Sequence, residues 1–193
     1  NTKAKSDRKA VIARLLCHII KPFLHKDIWL ISDRIDKADD NGEALFKYLQ
    51  QHPDVEIKSY FCISKDSNDF KRMKQYGKVL PFLGWRYKLY TLLGAKIISS
   101  QAEEYIFRPF QSYSAPFSDW IHNQKFVFLQ HGVTKDDLSN WLNRYNKNVC
   151  LFVTTTNSEY ESILSYDYYY STQQVVLSGF PRYDYLYHNE RKM

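Results

Sequence analysis

The residues best suited to catalysis or ligand binding follow an apolar segment in the middle of the chain. They include Gln130, His131, Gly132 and Thr134. A histidine can accept a proton from an alcohol near neutral pH, so His131 is a candidate general base. We expect Gly132 to let the backbone turn there at little steric cost. A histidine at a strand end can also serve only to bond to the backbone, and the residues alone leave both interpretations of His131 open.

A second polar segment spans residues 178–184 and follows another apolar segment. Arg182 offers a planar fork of donors that suits an anion, and Asp184 is suited to orient it or to cap a following helix. Ser99 and Ser100 add hydroxyl groups after a further apolar segment. A turn with a helix cap explains residues 178–184 equally well at this stage.

A third polar segment, residues 154–160, runs into a predicted helix. Hydroxyl groups at a helix N-terminus make a weak anion site. The alternative is a polar loop in which Ser158 and Glu161 form a capping box. Asp36, Asp39 and Asp40 lie in one loop, where we expect solvated charge or a helix cap rather than a magnesium site.

Several common sites are absent from the sequence. It contains neither G-x-G-x-x-G nor G-x-x-x-x-G-K-[ST], so no dinucleotide fingerprint or P-loop is predicted. It lacks the G-x-S-x-G elbow of a hydrolase. Histidines and carboxylates do not occur at metal-ligand spacing, and we predict neither a metal nor a cofactor. The three scattered cysteines, with no membrane span and no signal peptide, indicate a cytoplasmic protein.

The elements that position these polar segments alternate along the chain between predicted strands and predicted helices. Seven short apolar segments are predicted strands: Asp27–Ser32, Val55–Ile63, Lys78–Leu80, Ala95–Ser100, Lys125–Leu129, Cys150–Thr154 and Gln174–Leu177. Predicted helices separate most of them: Gly42–His52, Asp69–Tyr76, Trp85–Leu93, Asp136–Leu142 and Ser158–Leu164. An aromatic loop is predicted over Gln101–Asn123. This alternation predicts an α/β fold with a Rossmann-like parallel sheet, whose ligands bind at the carboxyl ends of the strands.

The basic charge of the chain is confined to its beginning. Residues 1–26 contain seven Lys or Arg and one Asp, and residues 27–193 carry no net charge. A nucleic-acid-binding surface is therefore not predicted. An amphipathic helix over Lys9–Leu24 has an apolar stripe: Ile12, Leu15, Leu16, Ile19, Ile20 and Phe23. The stripe either packs against protein or lies on an anionic membrane surface.

Four motifs in order carry a resemblance to a known family: Trp29–Arg34, Asp40–Ala44, Gln130–Gly132 and Gly179–Asp184. Over about residues 26–187 the chain resembles the CDP-glycerol glycerophosphotransferase family of teichoic-acid synthesis. Each motif alone is weak, so the order of the four gives the resemblance its specificity. Those enzymes are similar to two-domain GT-B glycosyltransferases, in which the N-terminal half takes the acceptor and the C-terminal half binds the CDP-alcohol.

The resemblance implies a domain organisation. Residues 1–26 form a basic amphipathic helix, 27–187 an acceptor-side domain, and 188–193 the start of a connection to a C-terminal nucleotide-binding domain. The chain begins with Asn1, so we expect it to be part of a longer protein and to be inactive by itself. Membrane-linked acceptors favour a peripheral position on the inner face of the cell membrane for residues 9–24.

The resemblance also implies a reaction. His131 deprotonates the acceptor hydroxyl, which attacks the β-phosphate of CDP-glycerol or a similar CDP-alcohol and releases CMP. The acceptor is a glycan or a teichoic acid, and no nucleic acid is involved. The residues expected to contact substrate are Gln130, Gly132, Thr134, Asn41, Ser99, Ser100, Arg182 and Asp184. Two alternatives stay open: a GT-B glycosyltransferase that uses a nucleotide sugar, and a non-catalytic module that binds a membrane or a protein partner.

Overall fold

The computed structural model describes residues 2–54, 56–107, 125–165 and 167–184, with side chains described from residue 8 onward except for residues 9 and 10. Its described strands form one parallel sheet of seven in the order β3-β2-β1-β4-β5-β6-β7. The strands are β1 (Asp27–Ser32), β2 (Ile57–Ile63), β3 (Val79–Pro81), β4 (Lys96–Ser99), β5 (Lys125–Phe128), β6 (Val149–Thr154) and β7 (Val175–Leu177). The predicted parallel α/β sheet is therefore confirmed.

The sheet order reverses between β1 and β4. After β1 the chain builds β2 and β3 on one side, and it then returns to add β4 to β7 on the other. Ser32 pairs with Ser99, and Ser99 with Phe128, so the carboxyl ends of β1, β4 and β5 lie side by side. In open α/β sheets this reversal leaves a crevice outside the strand ends, where ligands bind.

Helices cover both faces of the sheet. Successive strand side chains point to opposite faces, so each face has apolar side chains that helices bury. The described helices are α1 (Thr2–Ile20), α2 (Asn41–Gln51), α3 (Asp69–Met73), α4 (Trp85–Leu92), α5 (Glu104–Phe107), α6 (Ser139–Leu142), α7 (Arg144–Lys147) and α8 (Asn157–Ser165). One buried layer contains Ile31, Phe46, Phe61 and Ile98. The opposite face carries an aromatic layer that includes Phe126, Phe128 and Phe152.

Some predicted helix boundaries were wrong. The helix predicted over Asp69–Tyr76 ends at Met73, after which single turns continue to Tyr76. The helix predicted from Asp136 begins at Ser139, whose backbone N–H donates to the Asp137 carboxylate at 2.8 Å. α5 lies near the start of the stretch that was predicted to be an aromatic loop, and residues 108–123 of that stretch lie outside the described residues.

The N-terminal helix exists, but its apolar stripe does not pack on the sheet domain. Cys17 is the buried residue of the described part of α1, and its Sγ donates to the Leu89 carbonyl of α4 at 3.8 Å. Leu15 and Ile19 are 61% and 65% exposed. Pro22 lies in a short 3-10 turn after the helix. No helix in the described part of the chain combines the length and the apolar character needed to cross a membrane.

The predicted division into residues 1–26, 27–187 and 188–193 stays a prediction. The contact between α1 and α4 joins the first segment to the second. Residues 185–193 lie outside the described part of the chain, so the predicted connection is not described.

Candidate functional site

The buried carboxylate of Asp33 organises the end of β1. It directly follows the strand and accepts hydrogen bonds from the backbone N–H groups of Gly42 at 2.7 Å, Glu43 at 3.0 Å and Asp40 at 3.2 Å. The Ser100 hydroxyl donates to it at 2.8 Å, from the end of β4. Asp33 therefore ties the N-terminus of α2 to both strands that flank the switch point.

Burial raises the pKa of Asp33 to about 6, and this effect outweighs the hydrogen bonds from Ser100, Gly42 and Glu43, which favour the ionised form. The same close packing explains the glycine in the Asp40–Ala44 motif. A Cβ atom at Gly42 would lie 2.6 Å from Asp33 Oδ1 and from the Ser32 carbonyl oxygen. A side chain at residue 42 would therefore displace the carboxylate.

An ion-pair cluster supports the first turn of α2 from outside. The Glu43 carboxylate accepts from Arg72 Nη1 at 2.6 Å and Nη2 at 2.7 Å, and it pairs with Lys47 at 2.6 Å. Burial opposes ionisation of Glu43, but the bonds from Arg72 and Lys47 outweigh it and hold its pKa below the usual value. Arg72 also bonds to Asp69 and to the Ala38 carbonyl, so α3 holds the loop that leads into α2.

Asn41 joins three of the four sequence motifs. Its side chain is fully buried; Nδ2 donates to the Gln130 carbonyl at 2.6 Å, and Oδ1 accepts from the Arg182 backbone N–H at 3.2 Å. Both ends of the amide are thus bonded to protein. The predicted substrate contact of Asn41 stays a prediction, while the structure gives its side chain a bridging position.

Arg182 crosses the site. Its Nη1 donates to Asp40 Oδ1 at 2.5 Å and its Nη2 to the His131 carbonyl at 2.9 Å, while the guanidinium lies over Phe180 with 5.2 Å to the ring centroid. Of the two roles left open for Asp184, the structure does not show the orienting one: Asp184 is exposed, and Asp40 is the acidic partner of Arg182. Asp40 is also the predicted helix cap, since its side chain accepts from the first N–H of α2.

His131 lies at the carboxyl edge of the sheet, three residues beyond the last residue of β5, Phe128. Its Nδ1 is 3.1 Å from the Ser100 carbonyl oxygen, and its side chain is exposed. A carbonyl oxygen only accepts hydrogen bonds, so Nδ1 carries the proton of the neutral ring and Nε2 is left as an acceptor. Among the described residues no hydrogen bond to Nε2 is found. The ring is therefore held in the tautomer that a general base requires.

The two serines of β4 differ in what they bond. Ser100 connects Asp33 to His131, through its hydroxyl on one side and its carbonyl on the other. Ser99 is fully buried, and its hydroxyl accepts from Ser32 at 3.2 Å and from the Gln101 backbone at 3.1 Å. Both predicted substrate contacts stay predictions, and in this structure both hydroxyls bind neighbouring strand ends.

The chain bends at His131 and Gly132, where Gly132 was expected to let the backbone turn. The left-handed residue is Gln130, with φ +62°, and Gly132 has no such backbone angle. Space around Gly132 is open, because an added Cβ would meet no atom within 4 Å. The turn predicted after β7 is confirmed, with Gly179 at φ +80° and buried Phe180 behind it.

Sequence reasoning included Glu159 in the third polar segment but missed the contacts of its carboxylate, in the first turn of α8. The predicted capping box of Ser158 and Glu161 was wrong by two residues: the Thr156 hydroxyl caps α8 by accepting from the Glu159 N–H at 3.1 Å. The Glu159 carboxylate is buried and accepts from the Thr155 backbone at 2.9 Å and from Thr134 at 2.8 Å. It occupies the helix N-terminus at which a weak anion site was predicted.

The chemistry of the site is that of a proton acceptor at the switch point of a parallel sheet. Within the described ranges no group of three or more histidines, cysteines or acidic residues is arranged to hold a metal ion. His131 is the exposed titratable side chain of the cluster, and Asp33, Asn41 and Gln130 are buried around it. These features define an α/β domain with one candidate base at its ligand-binding edge.

Comparison with solved structures agrees with this class. The chain is similar to the wall teichoic acid polymerase TagF, with a TM-score of 0.61 and 11% identity over 99% of this chain and 50% of that one. A TagF variant soaked with CDPG gives a TM-score of 0.60 over 96% of this chain and 49% of the other. At this identity the likeness concerns the fold, which is that of one half of a GT-B-like teichoic acid polymerase.

Sequence comparison gives the family. Residues 14–193 match the model of CDP-glycerol:poly(glycerophosphate) glycerophosphotransferases. The chain is 46% identical over 183 residues to the minor teichoic acid biosynthesis protein GgaB of Bacillus subtilis (strain 168). The chain belongs to this glycerophosphotransferase family, and the predicted resemblance is confirmed. It spans 20% of the length of GgaB and about half that of TagF.

Proposed function

We propose that this chain is the acceptor-side part of a phosphotransferase that moves glycerol phosphate from CDP-glycerol to a hydroxyl of a teichoic-acid or other glycan acceptor. Nε2 of His131 takes the proton of the acceptor hydroxyl. The acceptor oxygen then forms a bond to the β-phosphorus, the bond between that phosphorus and the oxygen bridging to the α-phosphate breaks, and CMP leaves with that oxygen. Removing the proton makes the oxygen a better nucleophile in the transition state.

The observation that carries the proposal is the hydrogen bond between His131 Nδ1 and the Ser100 carbonyl at 3.1 Å. It fixes the proton on Nδ1 and leaves the unprotonated nitrogen on an exposed ring. The bond also joins β5 to β4, beside the reversal in strand order where a ligand crevice is expected.

The choice of donor rests on the relatives. The family name gives CDP-glycerol as a substrate, and a related polymerase, TagF, has been soaked with CDPG. We assign the CDP-alcohol to a second domain of the longer protein, and the acceptor to the edge that carries His131. Arg182, which bonds to the His131 carbonyl, belongs to the segment that leads toward that second domain in our proposed organisation.

The donor is tested with the longer protein that contains this chain. CDP-glycerol, CDP-ribitol and UDP-sugars are each supplied with a teichoic-acid or lipid-linked glycan acceptor, and release of the nucleotide is followed. We expect CMP release with CDP-glycerol that depends on the acceptor. Turnover of a UDP-sugar in place of both CDP-alcohols would identify a glycosyltransferase, and release of no nucleotide would favour a binding module.

We further propose that the enzyme acts at the inner face of the cell membrane, with α1 lying on the bilayer. The exposed stripe includes Leu15 and Ile19 on α1 and Phe23 in the turn that follows it, and residues 1–26 carry all of the net basic charge. Apolar side chains enter the headgroup region while basic ones attract anionic lipids, about 1 kcal/mol for each Lys or Arg near the surface. This arrangement would bring the sheet edge to membrane-linked acceptors.

A further inference from the structure

The turn that carries His131 is held at both ends by a single carboxylate oxygen. Glu159 Oε1 accepts from Gln130 Nε2 at 2.9 Å and from the Thr134 backbone N–H at 2.8 Å. Gln130 Nε2 also donates to the Thr134 hydroxyl at 2.7 Å, which closes the turn. His131 lies inside this closed turn, one residue after Gln130.

Gln130 needs such restraint because its backbone is left-handed. A non-glycine residue at φ +62° is held in a sparsely populated and strained conformation. Its carbonyl is fixed by Asn41 at 2.6 Å and its side chain by Glu159, and only 2% of the residue is exposed. The left-handed bend turns the chain away from the strand direction and brings the His131 ring to the Ser100 carbonyl.

Glu159 is itself fixed on the other side. Its Oε2 accepts from the Thr155 backbone N–H at 2.9 Å and from the Thr155 hydroxyl at 3.2 Å. The residue is 2% exposed, and its charge lies at the N-terminus of α8, where the helix dipole favours an anion. Its partners in the described part of the chain are neutral donors, so its carboxylate is suited to orient hydrogen-bond donors rather than to neutralise a cation.

We propose that Glu159 and Gln130 are positioning residues for the base His131, with Glu159 acting through Gln130. This inference rests on the proposed function, and it moves Gln130 from a substrate contact to a residue that aims the imidazole. Without the clamp the backbone of residue 130 relaxes, the Nδ1 bond to Ser100 weakens, and the ring samples both tautomers. A misplacement of about 1 Å costs on the order of 10²-fold in rate.

The tautomer is measured without any substrate. In the 193-residue chain, long-range ¹H–¹⁵N NMR distinguishes the protonated ring nitrogen from the bare one, and a spectrum of His131→Asn assigns the signals. We expect Nδ1–H with bare Nε2 in the wild-type chain, and a mixture of tautomers in Gln130→Gly. Glycine adopts the left-handed angle without strain, so this variant removes the side-chain clamp while leaving the backbone able to fold.

Kinetics of the longer protein provide the second readout. Gln130→Gly and Glu159→Ala should lower kcat about 10- to 100-fold with KM for the acceptor within about 2-fold, because orientation is lost rather than binding. Glu161→Ala is the matched control: it removes an exposed carboxylate from the same helix, outside the clamp, and should keep kcat within about 2-fold.

The outcomes separate the two proposals. An unchanged His131 tautomer in Gln130→Gly, or loss of activity equal in Glu161→Ala and Glu159→Ala, would overturn the positioning role. If Glu159→Ala fails to fold, Gln130→Gly alone decides. If the wild-type protein transfers no glycerol phosphate, the proposed function fails while the NMR experiment still tests the clamp.

Discussion

Asp33 has no direct contact with His131, yet it shapes the site through Ser100. Its carboxylate holds the Ser100 hydroxyl at 2.8 Å, and the carbonyl of the same serine receives the His131 ring. Since burial raises its pKa to about 6, Asp33 takes up a proton in the folded chain at a pH where an unfolded aspartate, with a pKa of about 3.9, is ionised. The free energy of unfolding therefore depends on pH through the protonation of Asp33.

The first prediction concerns Asp33→Asn. A carboxyl with a raised folded-state pKa contributes stability that is present below about pH 4 and is lost as the pH rises through about 6. A difference of about two pKa units corresponds to a loss on the order of 3 kcal/mol across this range. We expect the Asn variant to lack this loss, although its amide also weakens the bonds from the α2 backbone.

Urea unfolding of both proteins between pH 4 and pH 7 provides the measurement. The difference between the two free energies of unfolding isolates Asp33, because the other carboxylates titrate equally in both. Two parallel curves would show that residue 33 does not change its protonation on folding in this range.

At the scale of elements, the N-terminus of α2 is packed against the end of β1 so closely that one position allows only glycine. A methyl group at Gly42 would lie 2.6 Å from a backbone oxygen and from the Asp33 carboxylate. Gly132, in the turn after β5, has open space and an ordinary backbone angle. The two glycines therefore have different tolerances for a side chain.

The second prediction is that Gly42→Ala destabilises the fold by about 1–3 kcal/mol, as overpacking of a tight site does. Gly132→Ala is the matched control and should change the free energy of unfolding by less than about 0.5 kcal/mol. Thermal and urea denaturation of the three proteins at one pH would compare them. Equal stability of both variants would mean that α2 can move away from β1 without cost.

How far the sequence predicts the fold differs between strands and turns. The strand β1 was predicted with its observed ends, Asp27 and Ser32, because a buried parallel strand is a continuous apolar segment between polar ones. The polar segments at residues 130–134 and 178–184 were predicted to follow parallel strands, which places them at one edge of the sheet. Their contacts through Asn41 could not be predicted, since they depend on distances between elements that are remote along the chain.

The misses in the site have physical causes. Gln130 was not expected in a left-handed conformation because its neighbour Gly132 is the residue that ordinarily adopts one. The role of Glu159 depends on which residue caps α8. The cap is Thr156 and not the predicted Ser158, which puts Glu159 in the first turn with its carboxylate in the site. The position of Asp33 directly after β1 can be inferred from the sequence. Its burial cannot, because it depends on how closely α2 packs against the strand end.

At the scale of the whole molecule, α1 combines two surfaces. Cys17 faces α4, while Leu15 and Ile19 are 61% and 65% exposed. Residues 1–26 are basic and the remainder of the chain is neutral. This separation of charge and apolar surface is the basis for the proposed membrane contact.

The third prediction uses Leu15→Asp combined with Ile19→Asp in the longer protein. Both side chains are exposed, so the fold should be unaffected, but carboxylates on this stripe oppose insertion and repel anionic lipids. Flotation with vesicles that contain phosphatidylglycerol should show binding reduced by at least about tenfold relative to wild type. Vesicles of phosphatidylcholine alone are the control for charge. Undiminished binding of the variant to anionic vesicles would remove α1 as the anchor.

The central claim is that His131 is the base of a glycerophosphotransferase, and its most direct test is acceptor-dependent CMP release from CDP-glycerol by the longer protein with and without this side chain. General base catalysis contributes about 10²–10⁴-fold, so His131→Ala should lower kcat by that factor while the domain stays folded. The Nδ1 bond to Ser100 is also lost in this variant, so circular dichroism and the unfolding midpoint are measured alongside. Full turnover in a folded His131→Ala protein would contradict the account.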